Sequence, residues 1–430
     1  MSQPAPMTRG GAPPRGSQPP LLTRSISIVL ATVFLACLSM GIVYPVLPKL
    51  ALTLEGGDTA RAARSLTVFA VIYAMGQFAV GPLLGSLSDR FGRRPVLLLS
   101  NLGLALDYLL MTLAPTMVWL IVGRAISGVV GRASFLAYAY IADCLPADKR
   151  IQGFGWIGAA ASVGAVVGPL LGGALGEVHE RLPFAAAAML SFINWASAIV
   201  LLRESLPAKS AKLTLSWKHM NPLAAIWSFM KDYKELRGLM VAGFLLELCL
   251  AGVTVYLVLY TSNRYGFSAA QNGLLFAVLG FGDAIAQIRG TQLAAQWLGL
   301  KFTAIIGVGL RAAALLIFAF ADNATILWCG VPLNLLGAVG GPALIATLSG
   351  QVTSEEQGRF TGVRSAIAAL AAMMGPPLMF GFFTTVSHQS GGASLGAPLI
   401  ATAGLSLIAI VLMSLTPEFQ LKPARGDMPA

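Results

Sequence analysis

Residues 85–95 read G-S-L-S-D-R-F-G-R-R-P and lie between two long apolar runs. One aspartate, Asp89, and three arginines, Arg90, Arg93 and Arg94, are packed into a connection too short to form a domain. Basic residues in short loops mark the cytoplasmic side of a membrane protein. The segment therefore predicts the orientation of the chain on either side of it.

Two glycines and a proline give this segment its predicted shape. Gly85 and Gly92 allow turns and close backbone approach that a Cβ atom would obstruct. Pro95 suits the first turn of the following helix, where its missing N–H costs nothing. Two interpretations stay open here: a basic loop that only sets topology, and a moving part of a transport mechanism.

The composition is that of a membrane protein. Hydrophobic residues make up 56% of the 430 residues and charged residues 11%, against roughly 45–50% and 25% in soluble domains. The net charge is +11, but most of the 29 Lys and Arg fall in predicted cytoplasmic segments and only 5 in external ones. This bias accounts for the basicity, and no nucleic-acid partner is predicted.

Apolar runs of about 20 residues predict twelve transmembrane helices in an all-α fold. The predicted spans are 26–47, 66–87, 96–114, 117–141, 153–176, 184–202, 238–260, 269–289, 302–321, 325–349, 360–386 and 396–415. They form two six-helix bundles, 26–203 and 238–416, joined by a cytoplasmic linker, 204–237. The tails 1–25, expected to be disordered, and 417–430 are also predicted in the cytoplasm.

The two halves look like copies of one another. Gly92 and Gly299 are 207 residues apart, and so are the pairs Gly168-Pro169 and Gly375-Pro376. Two independent landmarks at one offset favour a six-plus-six repeat around a central site. The second copy of the loop lacks the charges, with Gln296 at the position of Asp89.

The fifth span carries a run of small residues, and five of them recur with helical spacing: Gly164, Gly168, Pro169, Gly172 and Gly173. Small residues let two helices approach closely, and a proline kinks the helix and frees a carbonyl group. Close packing explains much of this pattern. A functional reading depends on the resemblance described below.

Five ionisable residues within the predicted spans are candidate functional residues: Asp107, Arg124, Glu247, Asp283 and Arg311. Such residues are costly there and mark functional sites. Counting 1.5 Å per residue places Asp107 and Arg124 at about the same depth, as an ion pair of either structural or proton-responsive kind. Glu247 and Arg311 are expected to face each other near the midplane, with Asp283 nearer the cytoplasm.

The segment 85–95 resembles the signature loop of the major facilitator superfamily at nearly every position. The resemblance implies that Asp89 and Arg93, with Asp143 at the end of span four, form a gating network at the cytoplasmic mouth. The small-residue run of span five resembles the antiporter motif of drug/proton exporters, and Arg124 with Gly128 resembles a motif linked to proton coupling.

Within the superfamily the chain looks most like the tetracycline/proton antiporter group. Residues 88–100, L-D-Y-L-L at 106–110 and Arg203-Glu204 carry this likeness. Two positions depart from it, because Ala36 and Arg311 stand where that group has aspartates serving substrate recognition or coupling. The departures argue against an ordinary tetracycline pump, and Arg311 would attract an anionic or zwitterionic substrate or neutralise Glu247.

The leading hypothesis is therefore a secondary active exporter, not an enzyme, that moves a small amphipathic compound by alternating access. The proton gradient supplies the energy, and no cofactor or metal is expected. The chain is expected to work as a monomer in the inner cell membrane. The alternatives are a transporter of another solute (a metal chelate, an organic anion or a nutrient, possibly inward) and a transport-dead scaffold or sensor.

Overall fold

The computed structural model describes residues 20–130, 133–145, 147–205, 221–352, 356–387 and 395–416. Within these ranges the chain is helical and contains no β-strand. Most of the predicted tail 1–25, the middle of the linker (206–220) and the tail 417–430 lie outside the described residues.

The first half contains eight helices within the described ranges. They are α1 (Pro20–Val43), α2 (Leu47–Leu54), α3 (Thr59–Phe91), α4 (Arg93–Leu113), α5 (Met117–Val130), α6 (Ala133–Cys144), α7 (Ala147–Val178) and α8 (Leu182–Leu201).

The second half begins with a linker helix and ends near the C-terminus. Its helices are α9 (Pro222–Asp232), α10 (Arg237–Tyr265), α11 (Ala269–Ile285), α12 (Thr291–Phe320), α13 (Ala324–Gly337), α14 (Gly340–Ser349), α15 (Gln357–Ser387) and α16 (Ala397–Leu415). A short 3₁₀ turn, Lys234–Leu236, precedes α10, and a π-helical segment, Ala286–Gly290, joins α11 to α12.

Within the described residues, ten helical segments are long and apolar enough to cross a membrane, and two shorter apolar helices, Met117–Val129 and Ala269–Ile285, bring the number to twelve. Helices α5 and α6 together occupy predicted span four, and α13 and α14 occupy span ten. The structure thereby confirms twelve spans. In the second half the tenth span is divided between two helices, α13 and α14.

The sequence predicted a loop at residues 85–95, but the structure shows that this segment is mostly helix. Helix α3 continues to Phe91, Gly92 alone makes the turn with φ 100° and ψ 154°, and Arg93 opens α4. A positive φ of this kind is open to glycine at little cost. Gly299 turns in the same way, with φ 76° and ψ 159°, so the repeat predicted from the 207-residue offset is present in the backbone.

Helix packing repeats between the halves. Helix α1 packs on α7 and α4 on α8, and in the second half α10 packs on α15 and α12 on α16. The two bundles meet through α7 against α11 and through α3 against α15. The repeat relates these two contacts to each other, because α7 corresponds to α15 and α3 to α11.

We call the end of the molecule that carries Gly92, Glu204 and α9 the basic side, and the end that carries Asp58 the opposite side. One hydrophobic cluster at the opposite side draws on both bundles, with Leu50 from the first and Phe318 from the second among its members. Two further clusters nearer the basic side each belong to a single bundle. Among the described residues, the buried cluster that joins the two bundles lies on the opposite side, and a cavity remains between the bundles toward the basic side.

Candidate functional site

The cavity between the bundles has two connected lobes of about 400 Å³ and about 320 Å³. Five residues line both lobes, and they come from α1, the turn that follows it, and α10: Met40, Tyr44, Glu247, Leu250 and Thr254. A concave, mostly apolar cavity with few polar groups is the usual form of a small-molecule site. Glu247 is the charged group that the two lobes share.

An aromatic pair and an ion pair mark the larger lobe. Tyr44 stacks on Phe276 of α11, with ring centroids 6.2 Å apart and an interplanar angle of 12°. Asp283 of α11 and Arg311 of α12 also line this lobe, and Arg311 Nη2 donates to Asp283 Oδ1. The two side chains are 33% and 28% exposed, so the pair lies in the cavity wall rather than in a core.

This pairing corrects the sequence-based expectation that Arg311 opposes Glu247 while Asp283 lies nearer the basic side. The depth of Asp283 was counted from a predicted loop next to Arg289. In the structure the helix continues through the π-helical segment, and the turn comes only at Gly299. Asp283 is consequently about 24 Å and Arg311 about 18 Å along the helix from that turn, which brings the two side chains together.

Glu247 is half-buried on α10. No hydrogen bond or ion pair joins it to another of the described residues. Arg364 of α15 is the charged residue that interacts with it electrostatically, and Arg364 is exposed and does not line either lobe. The carboxylate is therefore available to whatever enters the cavity.

Asp107 and Arg124 form the second intramembrane ion pair, inside the first bundle. Arg124 Nη1 lies 3.6 Å from Asp107 Oδ2, and the side chains are 5% and 0% exposed. The guanidinium also lies over the rings of Phe69, at 4.8 Å, and Tyr73, at 5.1 Å. Arg124 reaches the smaller lobe, whereas Asp107 lies behind it in the protein interior.

On the basic side, Arg93 joins two helices of the first bundle. Its Nε donates to Asp143 Oδ2 at 3.0 Å, and its Nη1 donates to Ser88 Oγ. Ser205 Oγ donates to the same oxygen of Asp143 at 3.2 Å. The side chain of Asp89, the third predicted member of this network, lies outside the described residues. Two further predicted members of the gating loop, Arg90 and Gly85, make no contact in this network among the described residues.

Arg90 is exposed, and its guanidinium lies 5.4 Å from the centroid of the Phe91 ring. Gly85 lies inside α3 rather than at a turn.

Glu204, which sequence reasoning did not include in the gating network, anchors the turn at Gly92. Its Oε1 accepts from the backbone N–H of Arg93 at 2.8 Å, and its Oε2 accepts from that of Arg94 at 3.1 Å. Both N–H groups belong to the first turn of α4, where the helix itself supplies no acceptor and a negative charge is favourable. The sequence held one signal for this role of Glu204: the pair Arg203-Glu204 is among the residues that resemble the tetracycline/proton antiporter group.

The small-residue run of α7 presents one face to α1. A Cβ atom added at Gly164, Gly168 or Gly172 would lie 2.5, 2.4 or 2.2 Å from a backbone carbonyl oxygen of α1. Such distances require the helices to move apart. These three glycines therefore let α7 lie close against α1.

The other face of the run meets the second bundle. A Cβ atom at Gly173 would lie 2.7 Å from the carbonyl oxygen of Ala269, and one at Gly273 would lie 2.3 Å from that of Pro169. Glu177 Oε1 accepts from the N–H of Ala270 at 2.9 Å. This contact between bundles, at the N-terminus of α11, was also missed by sequence reasoning.

Comparison with known proteins agrees with this geometry. Residues 29–376 match the Major Facilitator Superfamily. The chain belongs to this family. As a superfamily member it is a transporter and a multi-pass integral membrane protein.

Among characterised superfamily members, the class C tetracycline resistance protein of Escherichia coli is 33% identical over 389 residues, which cover 90% of this chain and 95% of that protein. The class B protein of Escherichia coli is 30% identical, covering 94% and 98%.

Solved structures of superfamily transporters share the fold. The D-xylose-proton symporter aligns with a TM-score of 0.74 at 16% identity, covering 92% of this chain and 98% of that one. The human organic anion transporter MFSD10 (TETRAN) aligns with a TM-score of 0.69 at 23% identity, covering 92% and 100%.

Proposed function

We propose that the chain is a proton-coupled exporter of a small amphipathic organic compound, resident in the inner cell membrane with both termini in the cytoplasm. The observation that carries the proposal is Glu247, a carboxylate without a close partner among the described residues, on the wall of both cavity lobes. The tetracycline resistance proteins, similar over nearly their whole length, support export of a drug-like compound.

Glu247 is suited to proton coupling because its surroundings change when the bundles rock. A carboxylate binds a proton when the cavity around it dries and releases the proton when water returns. Asp107 is a weaker candidate, since it is fully buried against Arg124. Asp283 is held by Arg311. The proton carrier of this proposal is therefore Glu247.

The proposed orientation makes the basic side cytoplasmic, following the positive-inside bias. The shared core at the opposite side then closes the external face, and the conformation is inward-open. In the outward-open state the contacts of Gly173 and Glu177 with α11 have to open.

Single cysteines test the orientation. In a protein whose native cysteines are replaced by serine, a membrane-impermeant maleimide should label Lys209→Cys only from the cytoplasm and Asp58→Cys only from outside. Labelling of both positions from the same side would contradict the twelve-span topology.

Transport in inverted vesicles tests the function. Candidate compounds, tetracyclines included, are supplied with and without an imposed pH gradient. Glu247→Gln is expected to abolish accumulation driven by the gradient, because an amide cannot carry a proton, and to spare downhill exchange. Glu235→Gln, the same change at an exposed position outside the cavity, is the matched control and should transport normally. A Glu247→Gln protein that accumulates a compound against its gradient when driven by pH would remove Glu247 from this role.

A further inference from the structure

The pairing of the charges on the cavity wall decides which ligand the cavity attracts. Among the described residues that line the two lobes, four are ionisable with a formal charge at neutral pH: Arg124, Glu247, Asp283 and Arg311. The two arginines would make the cavity attractive to anions if their charges were uncompensated. Each arginine, however, has an aspartate as an ion-pair partner.

Each arginine is neutralised by an aspartate. Arg311 donates to Asp283 within the larger lobe. Arg124 lies 3.6 Å from Asp107 at the smaller lobe and is covered by the rings of Phe69 and Tyr73. Paired charges of opposite sign leave little net field for a ligand to feel at longer range.

Glu247 is the charged residue of the wall that has no ion-pair partner among the described residues. Arg364, which interacts with it electrostatically, lies outside both lobes on an exposed turn of α15. The cations that do line the cavity among the described residues, Arg124 and Arg311, are each paired with an aspartate. A ligand between the bundles therefore meets one carboxylate without an ion-pair partner, and the Coulomb attraction between them grows as the ligand displaces water from the cavity.

The remaining wall suits a large apolar body. Leucine and valine side chains of α10 and α11 line the larger lobe, and the stacked pair Tyr44 and Phe276 presents aromatic rings to it. Aromatic faces attract cations as well as apolar groups. Hydrophobic walls and a single carboxylate together define the chemistry of the occupant.

We infer that the cavity binds lipophilic monovalent cations on Glu247, prefers them to anions of the same shape, and needs no divalent metal to do so. The inference rests on the proposed function and names its substrate class. The substrate and the coupling proton then occupy the same carboxylate in turn, so that each displaces the other. The inference runs against the expectation from sequence that Arg311 attracts an anionic or zwitterionic substrate.

Two probes with the same tetraphenyl shell, tetraphenylphosphonium and tetraphenylborate, isolate the sign of the charge. Equilibrium dialysis of each ion, separately, against the purified full-length protein in detergent, with EDTA present, measures binding above that of the detergent alone. The wild-type protein is expected to bind tetraphenylphosphonium at least about tenfold more tightly than tetraphenylborate, since a charge-assisted contact is worth that factor or more.

Variants assign the preference to Glu247. Glu247→Gln should lose the tenfold difference, Glu247→Asp should retain most of it, and Glu235→Gln should match the wild-type protein. Lowering the pH of the dialysis should release the phosphonium from the wild-type protein and leave Glu247→Gln unchanged. Equal binding of the phosphonium by wild type and Glu247→Gln, tighter binding of the borate, or a need for a divalent metal would overturn the inference, as would absence of phosphonium binding.

This outcome is separable from that of the proposed function. If the phosphonium fails to bind in the way described but inverted vesicles still accumulate some compound in a pH-driven, Glu247-dependent manner, the proposed function stands and only the substrate class is wrong. If the phosphonium binds on Glu247 and no pH-driven accumulation occurs, the substrate class stands and proton coupling is wrong.

Discussion

The two intramembrane ion pairs consist of the same two residue types in opposite surroundings. Asp107 and Arg124 lie inside the first bundle, 0% and 5% exposed, with aromatic rings over the guanidinium. Asp283 and Arg311 lie in the cavity wall, 33% and 28% exposed. An ion pair without water is held together by the cost of separating its charges, whereas one that water reaches is worth little to stability.

The comparison separates two roles that look alike in sequence. The buried pair supports the first bundle, because neither charge can lose its partner cheaply. The cavity pair sets the electrostatic field that a ligand meets, because Asp283 cancels the charge of Arg311. Each prediction below changes one charge and asks whether stability or binding responds, from the largest expected effect to the smallest.

Asp107→Asn is expected to have the largest effect on stability. It leaves the guanidinium of Arg124 buried without a carboxylate, which costs about 3–5 kcal/mol in buried pairs of this kind. Expression, thermal stability in detergent and transport should fall together, and Arg124→Ala should behave similarly. The double variant Asp107→Leu/Arg124→Met, which removes both charges, should recover much of the abundance. A single variant with normal melting temperature would show that the pair is dispensable for the bundle.

Asp283→Asn is expected to change binding more than stability. The pair is about one third exposed, so its loss should alter the free energy of unfolding by only about 1 kcal/mol or less. Arg311 then carries an uncompensated charge beside Glu247, and the affinity for tetraphenylphosphonium should fall while that for tetraphenylborate rises. A destabilisation as large as that of Asp107→Asn would erase the distinction between the two pairs.

Asp143→Asn on the basic side is expected to have the smallest effect. Arg93 keeps Ser88 as a partner, and the ion pair is partly exposed, so the stability change should stay within about 1 kcal/mol. Transport should drop by at most about fivefold, the factor that 1 kcal/mol represents.

Asp89→Asn should reduce transport more strongly with near-normal membrane insertion. Wild-type transport by both variants would leave these charges with topology alone.

Much of the fold could be predicted because the membrane imposes it. Apolar runs long enough to span a bilayer have to form helices there, and the twelve predicted spans are present. The turns at Gly92 and Gly299 were recognisable because their positive φ angles favour the one residue type without a Cβ atom. Depth counting also placed Asp107 level with Arg124, since both are counted within single uninterrupted helical stretches.

The same counting failed for Asp283, because a π-helical segment and a late turn at Gly299 lengthened the helix before it. Counting residues along a helix could not have predicted the contacts of Glu204 or Glu177 either. Glu204 reaches the start of α4 only because α8 ends beside it, and Glu177 reaches α11 only when the bundles close at the opposite side. These contacts join residues 110 or 111 and 93 positions apart along the chain.

The sequence by itself determined the membrane setting, the helices, the repeat and the residues that carry charge inside the membrane, because each depends on composition or spacing within a single span. Only the tertiary structure decided which charges neutralise each other and which one faces the cavity. The pairing depends on how spans from different parts of the chain pack. In the structure Arg311 pairs with Asp283 and not, as the sequence predicted, with Glu247. Glu247 is thereby left as the charge between the bundles that has no ion-pair partner among the described residues.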